Sequence, residues 1–308
     1  MYSNNRIIAI GDIHGDYYIL IELLKLAKVI DCNNNWIGGS TYVVQLGDTL
    51  DGKRPGIEME IRYLKKAYEL KINKFILKLD YQAKKKSGRV ISILGNHEFY
   101  PYYNYNDNEF NNDYVKTADL MDYKYKLNTS RFDYYYPGKG VGAKMFGKTR
   151  PLLLQLGEFI FCHGSLSVEF LKLYSVNGKV NIKIINKEVS DWLMGKTKVK
   201  PKFINKSDAV NPLFNRILTD PKTMSNAECN KHVIPLFKYL NGVKYIVMGH
   251  STHKNINTLC NNRIYRTDIA VSRAFGGSIE DKMKNLQVLE ILQSNNKVRT
   301  NIITPFGK

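Results

Sequence analysis

The sequence of 308 residues contains few cysteines and no long apolar run, and both shortages narrow the classes of protein that it can encode. The four cysteines form no C-x-x-C pair, which argues against a zinc knuckle or a thiol redox motif and favours buried or incidental thiols in a reducing compartment. No stretch approaches the roughly 20 apolar residues that a membrane-spanning helix requires. The N-terminus shows no secretory signal pattern, so we expect a cytoplasmic protein.

Acidic residues are also scarce relative to basic ones. The chain has 46 Lys and Arg against 28 Asp and Glu, which gives a net charge of +18. Such a charge attracts phosphoproteins, nucleotides, nucleic acids or anionic surfaces, but the lysines are scattered along the chain and the charge does not choose among these partners. The hydrophobic fraction of 44% is that of a globular protein and excludes wholesale disorder.

Five short apolar runs have the composition of buried strands, and each is followed by Gly next to Asp, Asn or His. They occupy residues 6–10, 41–46, 89–94, 159–162 and 243–248. Apolar periodicity predicts helices over residues 17–30 and 57–79 between them. In open α/β sheets, ligands bind at the carboxyl ends of the strands, so the repeated polar ends predict one shared site.

The polar residues at these strand ends offer oxygen and nitrogen ligands without thiolate: Asp12, His14, Asp48, Asn96, His163 and His250. Carboxylates combined with imidazoles suit manganese, iron and zinc. Six ligands are too many for one open catalytic ion, but they suit two ions roughly 3.5–4 Å apart that share a carboxylate. Asp48 is the natural bridge, with Asp12 and His14 completing the first site and the other three residues the second.

Two ions in this arrangement favour hydrolysis of phosphate esters, because they lower the pKa of a bridging water and hold the phosphate oxygens for in-line attack. His97 is expected to protonate the leaving group as general acid, and Asp51 is a fitting partner that orients its imidazole. An arginine is expected to hold the non-bridging phosphate oxygens, because its planar fork matches their geometry.

These residues together resemble the motifs of the calcineurin-like metallophosphoesterase superfamily, and within it those of the phosphoprotein phosphatase branch. Residues 11–15 match the family motif GDxHG, residues 47–51 match most of GDxxDRG, and residues 95–98 match GNHE. Residues 163–164 and 249–250 match the two later metal histidines. The second half is most similar to the Shewanella-like, bacterial-type phosphatases, in which a segment resembling GPLWxR carries a phosphate-binding arginine. The matches extend from residue 11 to residue 250 and are highly specific as a set.

Two positions bear on how this chain would hold a phosphate, and a third marks a further departure from the family pattern. Residues 211–216 read Asn-Pro-Leu-Phe-Asn-Arg, so the resemblance makes Arg216 the phosphate-binding candidate. The arginine that follows the second Asp of GDxxDRG is replaced by Gly52, and either Arg54 or Lys53 has to take its role. Ser165 stands where the family has a second glycine after the histidine, so a less tight loop is expected there.

The resemblance implies an α/β fold, a four-layer α/β/β/α sandwich, built by a single metallophosphatase domain over residues 1–308 with insertions near 53–88 and 100–148. It implies two divalent metal ions, with manganese as the first choice and iron or zinc as alternatives. The expected reaction is hydrolysis of a phosphomonoester, with phosphoserine or phosphothreonine of a protein as substrate. The bias towards Asn, Lys and Tyr would suit a large DNA virus, which would place the protein in the host cytoplasm or the virion.

Two other activities and one non-enzymatic role remain open. The Shewanella-like group includes tyrosine-directed members, which makes phosphotyrosine an alternative substrate. The basic charge and the ten tyrosines of residues 100–136, interpreted as a partly ordered insertion, would suit a nucleotide or RNA-end phosphohydrolase similar to diadenosine tetraphosphatase. A binding protein that has lost catalysis ranks last, because every expected metal ligand is present.

Overall fold

A computed structural model describes residues 5–103, 113–294 and 297–307 of the chain. Within these residues the strands are β1 (Asn5–Ile10), β2 (Tyr42–Gln45), β3 (Arg89–Ser92), β4 (Leu154–Leu156), β5 (Phe159–Cys162), β6 (Ser175–Val176), β7 (Lys179–Val180), β8 (Tyr245–Met248), β9 (Asn257–Leu259), β10 (Ile264–Arg266), β11 (Val288–Ser294) and β12 (Lys297–Ile303). The helices are α1 (Tyr17–Leu26), α2 (Ile61–Leu64), α3 (Glu69–Lys84), α4 (Asn96–Tyr103), α5 (Thr117–Leu127), α6 (Arg131–Tyr135), α7 (Val141–Thr149), α8 (Val168–Leu173), α9 (Ile182–Leu193), α10 (Asn226–His232), α11 (Ile234–Tyr239) and α12 (Ile279–Lys284).

Two sheets of five strands form the centre of the described fold. The first has the strand order β12-β11-β1-β2-β3, and the second has the order β4-β5-β8-β10-β9. Strands β1, β2 and β3 run parallel to one another, as do β5, β8 and β10. The other neighbours in both sheets pair antiparallel. Because parallel strands end at the same edge of a sheet, the polar ends of β1, β2 and β3 lie side by side.

Side-chain alternation along the strands creates the layers. In β1, Ile7 packs in a buried cluster with Phe161 of the second sheet, so this cluster lies between the two sheets. The next residue, Ile8, points the opposite way and packs with Leu23 of α1. On the second sheet, Ile160 belongs to a different cluster, which is shared with several helices. Helices therefore cover the outer face of each sheet, and the predicted α/β/β/α sandwich is confirmed.

The five predicted strands are present as β1, β2, β3, β5 and β8, with ends within two residues of the prediction. The first predicted helix is shorter than expected, because α1 ends at Leu26 instead of residue 30. The chain leaves the helix where Lys28 adopts a left-handed backbone conformation, and Ile30 then pairs with Trp36 in an isolated β-bridge. A local pairing therefore overrides the apolar periodicity that predicted the longer helix.

The predicted helix over residues 57–79 is wrong, because the segment forms two helices, α2 and α3, with a break between them. The backbone N–H groups of Tyr68 and Glu69 donate to Asp119 Oδ1, at 2.7 and 3.0 Å. Asp119 thus satisfies donors at the start of α3 that have no partner within the helix. It lies about 50 positions further along the chain, so apolar periodicity alone gave no sign of the break.

The tyrosine-rich stretch 100–136 contributes several buried side chains to the described fold. Its residues 104–112 lie outside the described residues, and the part from residue 113 onwards includes α5 and α6. Tyr123 and Tyr135 are buried, and their hydroxyl groups lie 2.9 Å apart. The segment 113–136 is therefore built into the fold, and its assignment as an insertion relative to the family stays a prediction.

Two of the four cysteines form a disulfide, which corrects the expectation of unpaired thiols. Cys229 of α10 is bonded to Cys260 in the turn between β9 and β10, although they are 31 positions apart. Cys162 is a buried free thiol and Cys32 an exposed one. The fold brings the pair together, and no local spacing could have indicated it.

In the part of the chain that the structure describes, no helix is long and apolar enough to cross a membrane.

Candidate active site

The six residues predicted as metal ligands meet at the carboxyl ends of β1, β2, β3, β5 and β8. None of the six is more than 6% exposed. Among the described residues, two groups of side chains could each hold an ion, with ligand atoms within 4.8 Å of one another. Asp48, His163 and His250 form one group, and Asp48 with His14 and His97 forms the other. The sequence-based prediction thus selected residues that lie close together in space, although they are up to 238 positions apart in the sequence.

Asp48 lies between the two groups, as a bridging carboxylate should. Its Oδ2 atom is 3.7 Å from His14 Nε2 and 3.3 Å from His163 Nε2. Around His163 Nε2, the Oδ1 atom of Asn96 lies at 2.8 Å and the Nδ1 atom of His250 at 3.1 Å. Asp12 lies on the other side, with its carboxylate 3.9 Å from His14 Nε2 and accepting from the backbone N–H of His250.

Three of the predicted metal ligands are the histidines His14, His163 and His250. Each directs one ring nitrogen to a backbone carbonyl and the other towards the carboxylates. The anchored atoms are His14 Nδ1 at 3.3 Å, His163 Nδ1 at 2.7 Å and His250 Nε2 at 3.2 Å from their carbonyl oxygens. The carbonyls belong, in that order, to Leu50, Leu46 and Phe214. A histidine that donates one N–H in this way presents the lone pair of its other nitrogen, which is how proteins orient metal-binding imidazoles.

The electrostatics of the cluster also suit cations. Burial, together with the charges of Asp268 and Asp48, raises the pKa of Asp12 well above its ordinary value. Burial also lowers the pKa of His14 and of His250 well below the ordinary value, which keeps both rings neutral. Burying three carboxylates beside neutral imidazoles costs free energy when no positive charge accompanies them. Divalent ions would balance the charge of these carboxylates. The donor set therefore fits two divalent metal ions.

Asp268 is a further residue of the site that was not predicted from the sequence. Its side chain is 1% exposed and lines the same pocket as His14 and Asp48. Oδ1 accepts from the backbone N–H of Ala270, and Oδ2 has no hydrogen-bond partner within the described residues. Burial raises the pKa of Asp268 to about 6. A buried oxygen without a partner in this pocket is a further observation that fits a bound cation or its water.

The backbone around the ligands is held in an unusual conformation. His14, Asp48, Asp51 and His250 all have positive φ values, between 41° and 75°. Such left-handed residues other than glycine are uncommon and cluster at functional sites, where the surrounding structure enforces them. The motif glycine Gly95 is required for a different reason, because a Cβ atom there would collide with Asp48 Oδ1.

His97 and Asp51 form the pair predicted for proton transfer. Asp51 Oδ2 lies 2.7 Å from His97 Nδ1, and His97 Nε2 is directed towards the centre of the site, 3.8 Å from Asp48 Oδ2. Burial acts to raise the pKa of Asp51, but the charge of Arg131 and the hydrogen bond from His97 outweigh it and lower that pKa. An anionic Asp51 holds His97 with Nδ1 as the donor, which leaves Nε2 to face a substrate.

Both predicted arginines line the pocket, which has a volume of about 290 Å³. Arg216 Nη1 donates to the carbonyl of His250 at 3.0 Å and to Ser251 Oγ at 2.9 Å. Arg54 lies over the ring of Phe275, with Nη2 2.8 Å from both ring nitrogens of His14.

The structure leaves little room for a side chain at Gly52, where the family motif has an arginine. A Cβ atom at position 52 would lie 2.8 Å from the hydroxyl of Tyr63 and 2.9 Å from Lys116 Cε. These two buried side chains occupy the space that a larger residue would need. In the described structure Arg54 lines the pocket and Lys53 does not, so Arg54 is the better placed of the two candidates.

Ser165, where a less tight loop is expected, is held by hydrogen bonds within the fold. Ser165 is fully buried, and its backbone N–H donates to the carbonyl of Asn215 at 2.7 Å. Its Oγ atom accepts from the backbone N–H of Leu218 at 2.8 Å. The hydroxyl therefore ties the loop after β5 to the segment that carries Arg216.

Glu98, the last residue of the GNHE motif, organises the loop that carries Asp48. Its carboxylate accepts from the backbone N–H groups of Asp48, Thr49 and Gly95, at 2.7 to 2.9 Å. Arg150 pairs with it at 3.1 Å and is itself buried. Arg150 and Arg131 had no motif to indicate them, because their partners lie far away in the sequence.

Aromatic rings form the mouth of the pocket, and a second cavity adjoins it. Tyr100, Tyr114 and Phe275 line the pocket, with the Tyr100 ring 4.2 Å from that of His97. The adjoining cavity, of about 710 Å³, shares Tyr100 and Arg216 with the pocket and continues along Phe214. The pocket around the predicted metal ligands is therefore lined partly by aromatic rings and continues into a larger groove.

Comparison with known proteins agrees with the predicted family and fold. A family model described as calcineurin-like phosphoesterase matches residues 5–254. Shewanella-like protein phosphatase 1 of Plasmodium berghei (strain Anka) is 30% identical over 281 residues, which cover 87% of this chain and 68% of the relative. An uncharacterized protein of Acanthamoeba polyphaga mimivirus is 30% identical over 241 residues, covering 68% of this chain and 91% of that protein.

Among solved structures, a cold-active protein tyrosine phosphatase superimposes with a TM-score of 0.66 at 20% identity, covering 96% of this chain and 78% of that one. This likeness concerns the fold. The chain belongs to the calcineurin-like phosphoesterase family, a class of metal-dependent hydrolases. Within that family its similarity is to the Shewanella-like protein phosphatases, as the motifs had predicted. One of the relatives is a mimivirus protein, and the expected origin of this chain in a large DNA virus stays a prediction.

Proposed function

We propose that this protein is a dinuclear-metal-dependent phosphomonoesterase that acts on phosphorylated proteins, with phosphoserine and phosphothreonine as the expected substrates. The observation that carries the proposal is the position of Asp48 Oδ2, which lies 3.3 to 3.8 Å from the Nε2 atoms of His14, His163 and His97. Asn96 Oδ1 and His250 Nδ1 lie next to the same Nε2 atom of His163. This arrangement supports a hydrolytic reaction at a phosphate held in the pocket.

Asp12, His14, Asp48, Asn96, His163 and His250 would hold the two metal ions. Manganese is the proposed native metal, because mixed carboxylate and imidazole ligands suit it, with iron or zinc as alternatives. When bound, such ions supply a hydroxide at neutral pH and balance the charge of the phosphate oxygens. Asp268, next to these ligands and with an oxygen without a described partner, would hold a water of the site in place.

The remaining side chains divide binding and proton transfer between them. Arg216 and Arg54 would bind the non-bridging phosphate oxygens, since both line the pocket and a guanidinium matches phosphate geometry. His97 would protonate the oxygen of the leaving group, because Asp51 fixes its Nδ1 and leaves Nε2 directed into the pocket. Protonation matters most for an alkoxide such as that of serine, which is a poor leaving group.

A protein substrate is supported by the groove next to the pocket. The groove has more than twice the volume of the pocket and combines apolar residues such as Leu166 and Phe214 with the basic Lys231. It could hold the residues that flank a phosphorylated side chain. The Plasmodium berghei relative is named as a protein phosphatase, which supports the same class of substrate. A nucleotide or nucleic-acid partner stays a prediction from the basic charge.

A panel of phosphate compounds tests the proposal. Purified protein loaded with manganese should hydrolyse a generic aryl phosphate and lose this activity after chelation. Phosphoserine, phosphothreonine and phosphotyrosine peptides of one sequence should then be compared with diadenosine tetraphosphate and 5′-capped RNA. We expect hydrolysis of the phosphopeptides. Cleavage of the anhydride compounds alone would contradict the proposal and favour a nucleotide or RNA-end phosphohydrolase.

Phosphotyrosine is a second candidate substrate, favoured by the aromatic rings around the pocket. A phosphorylated phenol ring could pack against Phe275 or Tyr100, which would stabilise its complex by about 0.5–1.5 kcal/mol per ring contact. Phe275→Leu should therefore raise KM for a phosphotyrosine peptide and leave KM for the matched phosphoserine peptide unchanged. An equal effect on both peptides would remove the support for this candidate.

A further inference from the structure

A buried arginine outside the recognised motifs contacts the proton-transfer pair. Arg131 lies at the start of α6 and is 3% exposed. Its Nη2 atom is 2.6 Å from Asp51 Oδ1 and 3.0 Å from Glu69 Oε1, while its Nε atom is 2.8 Å from Glu69 Oε2. One guanidinium thus joins two buried carboxylates, of which one belongs to Asp51.

The contacts leave Asp51 little freedom to move. Its Oδ1 atom accepts from Arg131, its Oδ2 atom accepts from His97, and its backbone N–H donates to Glu69 at 2.8 Å. Glu69 in turn accepts from the hydroxyl of Tyr123 at 2.9 Å. Because Asp51 also has a left-handed backbone, these bonds together hold a strained residue in one position.

We propose that Arg131 is a positioning residue for proton transfer, which fixes the Asp51 carboxylate so that His97 presents Nε2–H to the leaving group. The inference rests on the proposed phosphomonoesterase function and adds a residue to it. The segment 113–136 would then support the reaction through Asp51 and His97, although the stretch 100–136 was interpreted from its sequence as a partly ordered insertion.

The chemistry predicts which reactions depend on Arg131. A water-derived oxygen supplies the electron pair of the new bond to phosphorus, and the ester P–O bond breaks with its electron pair staying on the leaving oxygen. That oxygen takes the proton from His97 Nε2. A leaving group with a low pKa, such as 2,4-dinitrophenolate, departs without this proton, whereas phenolate and alkoxides depend on it.

The test compares Arg131→Lys with the wild-type protein on phenyl phosphate and 2,4-dinitrophenyl phosphate. Lysine keeps the buried positive charge but cannot contact both carboxylates as the guanidinium does. We expect kcat on phenyl phosphate to fall by roughly 10-fold to 100-fold, part of the full effect of a general acid, and kcat on 2,4-dinitrophenyl phosphate by less than about 3-fold. KM for both esters and the content of bound metal should stay unchanged.

Two further variants separate positioning from a loss of structure. Tyr123→Phe removes a hydrogen bond to Glu69 in the same network without touching Asp51, so it should affect both esters equally. Arg131→Met combined with Glu69→Gln removes one positive and one negative charge together, which keeps the buried charge balanced if Arg131→Lys fails to fold. The double variant should show the same difference between the two esters.

A second measurement uses the coupling between residues. If Arg131 acts through His97, then Arg131→Lys should have no further effect on phenyl phosphate hydrolysis in a His97→Ala background. Equal losses on both esters, or additive losses in that background, would overturn the role of Arg131 and leave the proposed function standing. A wild-type protein that hydrolyses neither ester would overturn both proposals.

Discussion

At the scale of single residues, the arrangement of His97 separates proton transfer from metal binding. Nδ1 is engaged by Asp51 and Nε2 faces the pocket, although His97 is close enough to Asp48 to be counted as a possible ligand. The distinction matters, because a ligand and a general acid respond differently to removal of the ring. The consequences can be measured for His97 and for the two arginines.

His97→Ala should lower kcat by roughly 10²-fold to 10⁴-fold, which is the usual contribution of a general acid. The content of bound metal, measured by elemental analysis, should stay near that of the wild-type protein because the predicted ligands remain. His163→Ala serves as the comparison and should lose bound metal as well as activity. Loss of metal from His97→Ala would show that His97 is a ligand.

Arg216→Ala and Arg54→Ala should each lower kcat/KM by roughly 10-fold to 100-fold, the equivalent of one lost hydrogen bond to a charged group. Lys53→Ala is the matched control, because Lys53 neighbours Arg54 but does not line the pocket among the described residues. Steady-state kinetics on an aryl phosphate measures all three variants. A loss confined to Lys53→Ala would move the phosphate-binding role to that residue.

The residues of the site were predictable where a strand placed them. Asp12 and Asp48 follow strands that apolar composition identifies, so their meeting point followed from sheet geometry alone. Arg131 follows no strand of the central sheets, and it reaches Asp51 from 80 positions away in the sequence. Its role depends on the tertiary contacts of α6, for which the sequence carries no local pattern.

At the scale of secondary-structure elements, contacts between distant segments decide where helices begin and how they are held. Asp119, at the start of α5, accepts from two backbone N–H groups at the start of α3 and so divides a predicted helix in two. The disulfide similarly ties α10 to the turn between β9 and β10. Strand positions, in contrast, were predictable, because their composition is set by burial on both faces.

The disulfide gives a prediction for stability. Cys229→Ser should lower the free energy of unfolding by about 2–4 kcal/mol, because the bond restricts the unfolded chain. Denaturant unfolding in the absence of reductant measures this difference, with Cys32→Ser, which removes an exposed free thiol, as the control. With reductant present, the wild-type protein and Cys229→Ser should unfold alike. A wild-type protein insensitive to reductant would contradict a bonded pair.

At the scale of the whole molecule, buried ionisable groups make the free energy of unfolding depend on pH. Burial raises the pKa of Asp119 to about 6 from a model-compound value of 3.8. The folded protein therefore binds this proton more tightly than the unfolded chain does. The stabilisation is complete below the unfolded pKa and is lost as the pH rises through the folded pKa.

Asp119→Asn should remove this dependence, because an amide does not titrate while its oxygen can still accept both backbone hydrogen bonds. Between about pH 4 and pH 6, the wild-type free energy of unfolding should fall by about 1–3 kcal/mol relative to that of the variant. Denaturant unfolding at several pH values measures the two slopes. Parallel slopes would show that Asp119 keeps an ordinary pKa in the folded protein.

The account as a whole depends on two metal ions that share Asp48. Anomalous scattering from a crystal of the manganese-loaded protein measures this most directly, because it counts the ions and locates each one. We predict two peaks roughly 3.5–4 Å apart, one next to Asp12 and His14 and the other next to His163 and His250, with Asp48 between them. One peak, or none, at these ligands would contradict the account.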